Sequence, residues 1–114
     1  MGKDDYFVIA YRILAYLYAC LKAGEPVDIK YLKYGTDDFP VNSAYWEYIL
    51  RHLYDDGYIE GVALVPIIGR QTKGVKLTPA VSITPAGIEY LHENSTIQKA
   101  KAFLKDIKEI VPGL

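Results

Sequence analysis

The sequence predicts a small α+β domain, mainly α, in which three helices precede a β-hairpin and further helix follows it. Apolar residues recur at helical spacing near the N-terminus and again in the middle of the chain, and a run of β-forming residues directly follows the second stripe. The chain has 114 residues, of which 51% are hydrophobic and 24% charged, values typical of one folded domain. We therefore expect a single domain over residues 1–114.

The first helix is predicted over residues 4–22. Gly24 can end it, because glycine readily adopts the left-handed conformation found after a helix, and Pro26 prevents the helix from resuming. Its apolar stripe, at alternating spacings of three and four, consists of Phe7, Ala10, Leu14, Leu17 and Leu21.

The same segment is not expected to be a secretory signal or a membrane span. Arg12 interrupts its apolar run, and two acids precede the run where a signal peptide would carry bases. The one cysteine, Cys20, cannot form an intramolecular disulfide and lies in the apolar helix. These features predict a cytoplasmic protein with no membrane partner.

A short second helix is expected over residues 28–34. Asp28 can cap its start and Gly35 can end it, and Leu32 would face the core. A turn around Pro40 follows. Together with the helix after the turn, this segment would form a helix-turn-helix over residues 28–56.

The third helix is predicted from Asn42 or Ser43, either of which can cap it, to about Asp56. Its inward stripe, at positions i, i+3, i+4 and i+7, consists of Trp46, Ile49, Leu50 and Leu53.

Residues 58–83 are predicted to form a β-hairpin. A strand rich in β-formers starts at Tyr58, a polar loop spans residues 69–74, and the return strand ends at Ile83. Pro66 indicates an edge position or a bulge. Three helices followed directly by a hairpin is the order of a winged helix-turn-helix, with the hairpin as the wing.

The C-terminal part, residues 84–111, is predicted to form two more helices. Thr84 and Pro85 are a strong helix start, and a second start lies at Ser95. The last helix has more apolar residues than one core easily buries, so we expect a homodimer through it; the alternative is that it folds back over the first helix. The predicted dimer contacts are Phe103, Ile107 and Ile110.

Two motifs carry a resemblance to a known family. Residues 53–61, LYDDGYIEG, resemble the junction between recognition helix and wing, and residues 83–91, ITPAGIEYL, resemble the exit from the wing into a helix. With this element order, residues 5–110 resemble the YjcQ family of small bacterial and phage-borne winged-helix proteins. The resemblance implies a winged-helix fold and supplies no catalytic residues.

An enzyme is not expected, and neither a catalytic site, a metal site nor a cofactor is predicted. The chain has one cysteine and two histidines, His52 and His92, which do not have the spacing of a zinc site. Its glycines match neither phosphate-binding nor dinucleotide-binding patterns.

The net charge of −1 conceals an asymmetry between two segments. Residues 25–60 carry three cationic side chains against eight acidic ones, a net charge of −5. Residues 61–88 carry three cationic side chains and no acid, a net charge of +3. The helix-turn-helix is therefore acidic and the wing basic.

The outward face of the third helix and the tip of the wing form the predicted nucleic-acid interface. Arg51 could bond a guanine and Tyr48 a phosphate or base, whereas Glu47 and Asp55 would repel a polyanion. The predicted contacts are Ser43, Ala44, Tyr48, Arg51, Arg70, Lys73 and Lys76.

The first functional expectation is a transcriptional regulator of bacterial or phage type that binds double-stranded DNA. The alternative is a protein–protein interaction module that uses the acidic third helix and tyrosines, of which the chain has 11. A DNA reader should carry net positive charge on the third helix, and this helix does not.

Overall fold

The computed structural model describes residues 5–71 and 73–94, and it confirms an α+β domain that is mainly helical. The elements in chain order are α1 (Tyr6–Ala23), α2 (Ser43–Asp55), β1 (Ile59–Glu60), β2 (Ala63–Val65), β3 (Gly74–Lys76), β4 (Ser82–Ile83) and α3 (Pro85–Glu93).

Helix α1 forms the centre of the core. It is long and apolar enough to cross a membrane by length and composition alone, but 11 of its 18 residues are buried among the other elements, as in the core helix of a folded domain. Gly24 ends it with a φ of 67°, the left-handed conformation that the sequence predicts. Phe7 and Leu21, the two ends of the predicted stripe, are each 53% exposed, because they lie near the two ends of the helix. The cytoplasmic compartment stays a prediction.

Helix α2 begins and packs as predicted. The Asn42 side chain caps it by accepting a hydrogen bond from the Tyr45 backbone N–H at 2.8 Å. The four residues of its predicted stripe are all buried, in one cluster with Leu14 and Leu17 of α1 and Ile59 of β1.

The predicted second helix is wrong: residues 28–34 form turns. The Asp28 carboxylate accepts from the Lys30 backbone N–H at 3.0 Å, and the Asp28 carbonyl accepts from that of Tyr31 at 3.1 Å, so the predicted start forms a single turn that does not continue as a helix. The Asp28 backbone N–H in turn donates to the Tyr16 hydroxyl of α1 at 2.9 Å. A helix this short would form few hydrogen bonds, and these would not offset the conformational cost of its first turn. The turn and its contacts are therefore more favourable here than a helix. Leu32 is nevertheless buried, as expected.

The rest of the α1–α2 connection is held against α1 by polar bonds. Arg12 donates to the Asp38 backbone oxygen at 2.7 Å, and the Tyr31 hydroxyl donates to the Asp38 carboxylate at 2.8 Å. Phe39 is fully buried, with its ring 5.1 Å from that of Trp46. The connection therefore closes the core where a second helix was expected.

The predicted hairpin is present, with its ladder divided into two short parts. Strand β1 pairs antiparallel with β4, Ile59 opposite Ile83, and β2 pairs antiparallel with β3, Ala63 opposite Lys76. Gly61 lies between the two parts at a φ of 76°, where a Cβ would collide with the Ala80 carbonyl oxygen. Glycine is therefore required where the ladder breaks.

Helix α3 begins as predicted, with Thr84 accepting from the Gly87 backbone N–H at 3.1 Å and Pro85 as its first residue. It packs on α1 and β4. The predicted last helix, and with it the predicted dimer contacts Phe103, Ile107 and Ile110, lie outside the described residues.

Candidate interaction surface on α2 and the hairpin

The exposed face of α2 is the one that the sequence predicts. Ser43, Ala44 and Tyr48 are exposed, and the Tyr48 side chain is 46% exposed. Asp55 is also exposed, at the C-terminal end of the same helix. The predicted contacts on α2 thus share one accessible surface, apart from Arg51.

The Arg51 side chain is only partly exposed, and it lies near Tyr48 of the same helix. Its guanidinium carbon stands 5.8 Å from the centre of the Tyr48 ring, within range of a cation–π interaction. Its Nε is buried and has no hydrogen-bond partner among the described residues. The predicted base-reading arginine is therefore held against a tyrosine of the same surface.

The hairpin loop is joined to α2 by an ion pair. Arg70 Nη2 stands 3.4 Å from Glu47 Oε1, with both side chains partly exposed to solvent. Lys73 and Lys76 are exposed on the same hairpin. Of these three cations, Arg70 is the one that contacts α2 through this pair.

A groove of about 780 Å³ lies between the start of α1 and the exposed face of α2. We call it the aromatic groove. It is lined by Tyr6, Phe7, Asn42, Ala44, Tyr45, Tyr48 and His52.

The rings of the aromatic groove contact one another across the two helices. The Tyr6 ring centre stands 6.2 Å from that of Tyr48, which in turn stands 4.3 Å from His52 and 6.3 Å from Tyr45. Phe7 packs edge to face on Tyr6 at 5.2 Å. Such a surface offers apolar contact and ring stacking with few directional polar groups.

Acidic side chains lie near the groove but outside its lining. Burial raises the pKa of Tyr6 to about 12, and the negative charge of Asp56 contributes to this rise, as do Tyr90, Tyr48 and Tyr45 to a smaller degree. The Tyr6 phenol is therefore neutral at physiological pH. Glu47 and Asp55 add negative charge to α2 itself. The groove lining itself contains no acidic side chain, and the Arg51 guanidinium stands 5.8 Å from the centre of the Tyr48 ring.

Sequence reasoning finds the α2 side of this site and misses the α1 side. The outward position of Tyr48 follows from helical periodicity. Phe7 is predicted on the inward stripe of α1, and its place in the groove, like that of Tyr6, depends on how α1 packs against α2. Two adjacent aromatic residues at a helix start are the only local signal.

The part of the chain that the structure describes contains no candidate metal site. No group of three or more His, Cys, Asp or Glu side chains comes together in residues 5–71 and 73–94. Cys20 is buried, and burial raises the pKa of its thiol.

The fold and this surface define a small, mainly helical α+β domain, in which the hairpin lies beside α2 and one face of α2 is exposed. The family model described as YjcQ protein matches residues 11–110. The chain therefore belongs to the YjcQ family. No curated protein and no solved structure matches it.

Proposed function

We propose that this chain is a winged-helix module that acts by binding another macromolecule, with α2 in the position of the recognition helix and the hairpin as the wing. The order of elements supports this, and so does the Arg70–Glu47 ion pair, which brings the wing loop beside α2. The turns at residues 28–34 are a departure from the usual three-helix pattern.

The ligand that the surface suits best is a protein segment, and the aromatic groove carries this proposal. Phe7 and Tyr48, on opposite walls of the groove, leave about half of each side chain in contact with water. Exposed aromatic residues gathered around a concave surface are typical of protein-binding sites.

Electrostatics favours a protein over duplex DNA at α2. Residues 25–60 carry a net charge of −5, from three cations and eight acids, whereas affinity for DNA depends mainly on neutralising phosphates. Of the predicted DNA contacts, Arg51 stacks on Tyr48 and Arg70 is paired with Glu47. Two of the four cationic candidates are thus already engaged within the protein.

The partner that fits is an amphipathic helix with apolar anchors and cationic flanks. Helix-in-groove recognition places residues at i, i+3, i+4 and i+7 in an apolar groove. Cationic flanking residues could meet Asp55 and Asp56, which are exposed at the C-terminal end of α2.

The test is an NMR titration of the full-length chain with two probes. One probe is a 16-residue amphipathic helix of leucine and lysine, and the other a random 20-base-pair duplex. We expect the peptide to shift the amide signals of Tyr45, Tyr48 and His52, and a scrambled peptide of the same composition to leave them in place. Shifts confined to the wing with the duplex, and none with the peptide, would overturn the proposal.

A second candidate function is DNA binding through the wing, favoured by a different observation. Lys73 and Lys76 are exposed, and no acid lies between residues 61 and 88. Such a wing could contact phosphates while α2 contributes little base reading. Transcriptional regulation in a bacterial or phage setting is the process that this candidate would serve.

A further inference from the structure

We infer that the tip of the wing, residues 67–70, inserts the Ile68 side chain as an apolar wedge between base pairs of duplex DNA, from the minor groove. This rests on the second candidate function, DNA binding through the wing, and it adds a contact to the bases that the lysines of the wing do not supply. Three features support it: the exposure of Ile68, the turn that holds it, and the charge around it.

The Ile68 side chain is fully exposed at the wing tip. Its exposure is 102%, compared with 43% for Leu64 and 37% for Val65 on β2, the strand that leads to the tip. Covering an isoleucine side chain with an apolar surface is favourable, and stacked bases offer such a surface once a step is opened. Branching at its Cβ restricts χ1, so the side chain is stiff. Ile68 therefore has the exposure and the rigidity that a wedge requires.

A hydrogen-bonded turn holds Ile68 in this position. The Arg70 backbone N–H donates to the Ile67 carbonyl oxygen at 3.1 Å, so that Ile68 and Gly69 are the two central residues of a β-turn. Gly69 has a φ of 82°, which is the conformation of the second central residue in a type II turn. The Ile67 side chain packs over Gly74 of β3, where a Cβ would stand 2.7 Å from Ile67 Cδ1. The turn thus anchors one isoleucine on the hairpin and presents the next to solvent.

The charge around the tip is complementary to a polyanion. Lys73 and Lys76 are exposed, and residues 61–88 contain no acid. Arg70 is paired with Glu47, so this contact offsets negative charge that α2 brings to the loop. Proteins that insert apolar wedges into DNA use cations beside the wedge to hold phosphates and the groove. The lysines of the wing can serve in this way.

Duplex DNA suits the tip better than an anionic membrane, which also combines negative charge with an apolar layer. Electrostatic binding to anionic lipid takes a cluster of about four to eight cations. The wing has three, and one of them is engaged by Glu47. A wedge needs only one apolar side chain at the tip, and its insertion adds apolar contact where phosphate contacts are few.

The first experiment measures base unstacking by the full-length chain. The probe is a 20-base-pair duplex with 2-aminopurine at a central TA step, a type of step that unstacks easily, and with a fluorophore at each end. We expect binding to raise the 2-aminopurine fluorescence and to bring the two ends closer, as a bend of about 20–90° would do. Binding without a rise in 2-aminopurine fluorescence overturns the inference.

The second experiment separates the wedge from the phosphate contacts. Ile68→Gln should lower the affinity for the duplex about 10-fold and abolish the fluorescence rise, but leave the slope of log affinity against log salt unchanged because the cations remain. Ile68→Leu should retain the fluorescence rise. Leu64→Gln removes an exposed apolar side chain from β2 rather than from the tip, and as the control it should match the parent.

The outcomes distinguish the wedge from the function on which it rests. If Ile68→Gln matches the parent in affinity, salt slope and fluorescence, DNA binding through the wing stands and the wedge fails. If the parent does not bind the duplex, both fail. Vesicles of phosphatidylglycerol and phosphatidylcholine are the third probe: binding to them that Ile68→Gln abolishes, without binding to the duplex, would assign the tip to a lipid surface and overturn the inference.

Discussion

Arg70 in the hairpin loop and Glu47 on α2 form an ion pair, with 3.4 Å between Nη2 and Oε1. Exposed pairs of this kind contribute about 0–1 kcal/mol to stability, so its main effect concerns the surface rather than the fold. It brings the wing loop beside the exposed face of α2 and neutralises one of the three cations of the wing. The same contact that supports a winged-helix arrangement thus weakens its case as a DNA-binding surface.

Removing the acid of this pair should therefore strengthen any binding to DNA. Glu47→Gln removes the carboxylate that Arg70 contacts and one negative charge from this surface, and we expect the slope of log affinity against log salt to steepen by about one contact. Salt titration with a random duplex measures this slope. Asp55→Asn, which removes the same charge from the end of the same face, is the control. Identical effects of the two variants would show that the pair does not restrain Arg70.

The wing itself is tested by Arg70→Ala, Lys73→Ala and Lys76→Ala in one chain. If the wing carries DNA binding, the triple variant should lose affinity and flatten the salt slope by about three phosphate contacts. Lys30→Ala with Lys33→Ala is the control, since these lysines belong to the acidic half of the chain. Equal slopes for parent and triple variant would exclude the wing from the interface, and no binding by the parent would remove DNA as a candidate ligand.

Helices α1, α2 and α3 and the hairpin could be predicted because their signals are local. Asn42 and Thr84 each cap a helix through a backbone N–H three residues away, and Gly24 ends one by its own conformation. The burial of the α2 stripe follows from spacing alone. Such features depend on residues close in sequence, which a single chain displays directly.

The turns at residues 28–34 and the aromatic groove could not be predicted in the same way. Asp28 is held by the hydroxyl of Tyr16, twelve residues earlier, and that contact exists only after the connection folds onto α1. Phe7 belongs to an apolar stripe by spacing, yet it is exposed because no described element covers the start of α1 there. Both outcomes depend on tertiary packing, which periodicity does not report.

Truncation of the buried tryptophan should be among the costliest changes to the fold. Trp46 is 7% exposed and packs against Phe39. Trp46→Ala should lower the free energy of unfolding by about 3–5 kcal/mol, the usual range for a large core side chain. Urea unfolding followed by circular dichroism measures it, with Asp55→Ala as the exposed control on the same helix. A loss below about 1 kcal/mol would contradict the packing of α2.

Stability should fall at alkaline pH because of Tyr31 and Tyr16. Burial raises the pKa of Tyr31, as does its hydrogen bond to Asp38, and burial raises the pKa of Tyr16 to about 12. Both are raised above the ordinary 10.0, so their stabilisation is present below pH 10 and is lost as the pH rises from 10 toward 12. Urea unfolding at pH 7, 10 and 11 measures the loss.

The variant that isolates this effect is Tyr31→Phe. It should cost about 1 kcal/mol at pH 7 through the lost hydrogen bond and show a shallower decline above pH 10 than the parent. Tyr34→Phe changes an exposed tyrosine of the same connection and should reproduce the parent profile. A Tyr31→Phe profile parallel to that of the parent would mean that the Tyr31 hydroxyl does not carry the alkaline loss.

The last prediction is a homodimer through the C-terminal segment. Phe103 and Ile110 are seven residues apart, and the sequence pattern predicts them as a surplus apolar flank beside the main stripe of the last helix. An apolar flank of this kind in water favours association with a second copy, and a two-fold axis would pair the same residues of both chains. Light scattering at high micromolar concentration should give twice the chain mass of 12.8 kDa. Phe103→Glu with Ile110→Glu should return the mass to that of a monomer, whereas a parent chain that is monomeric at this concentration would refute the dimer.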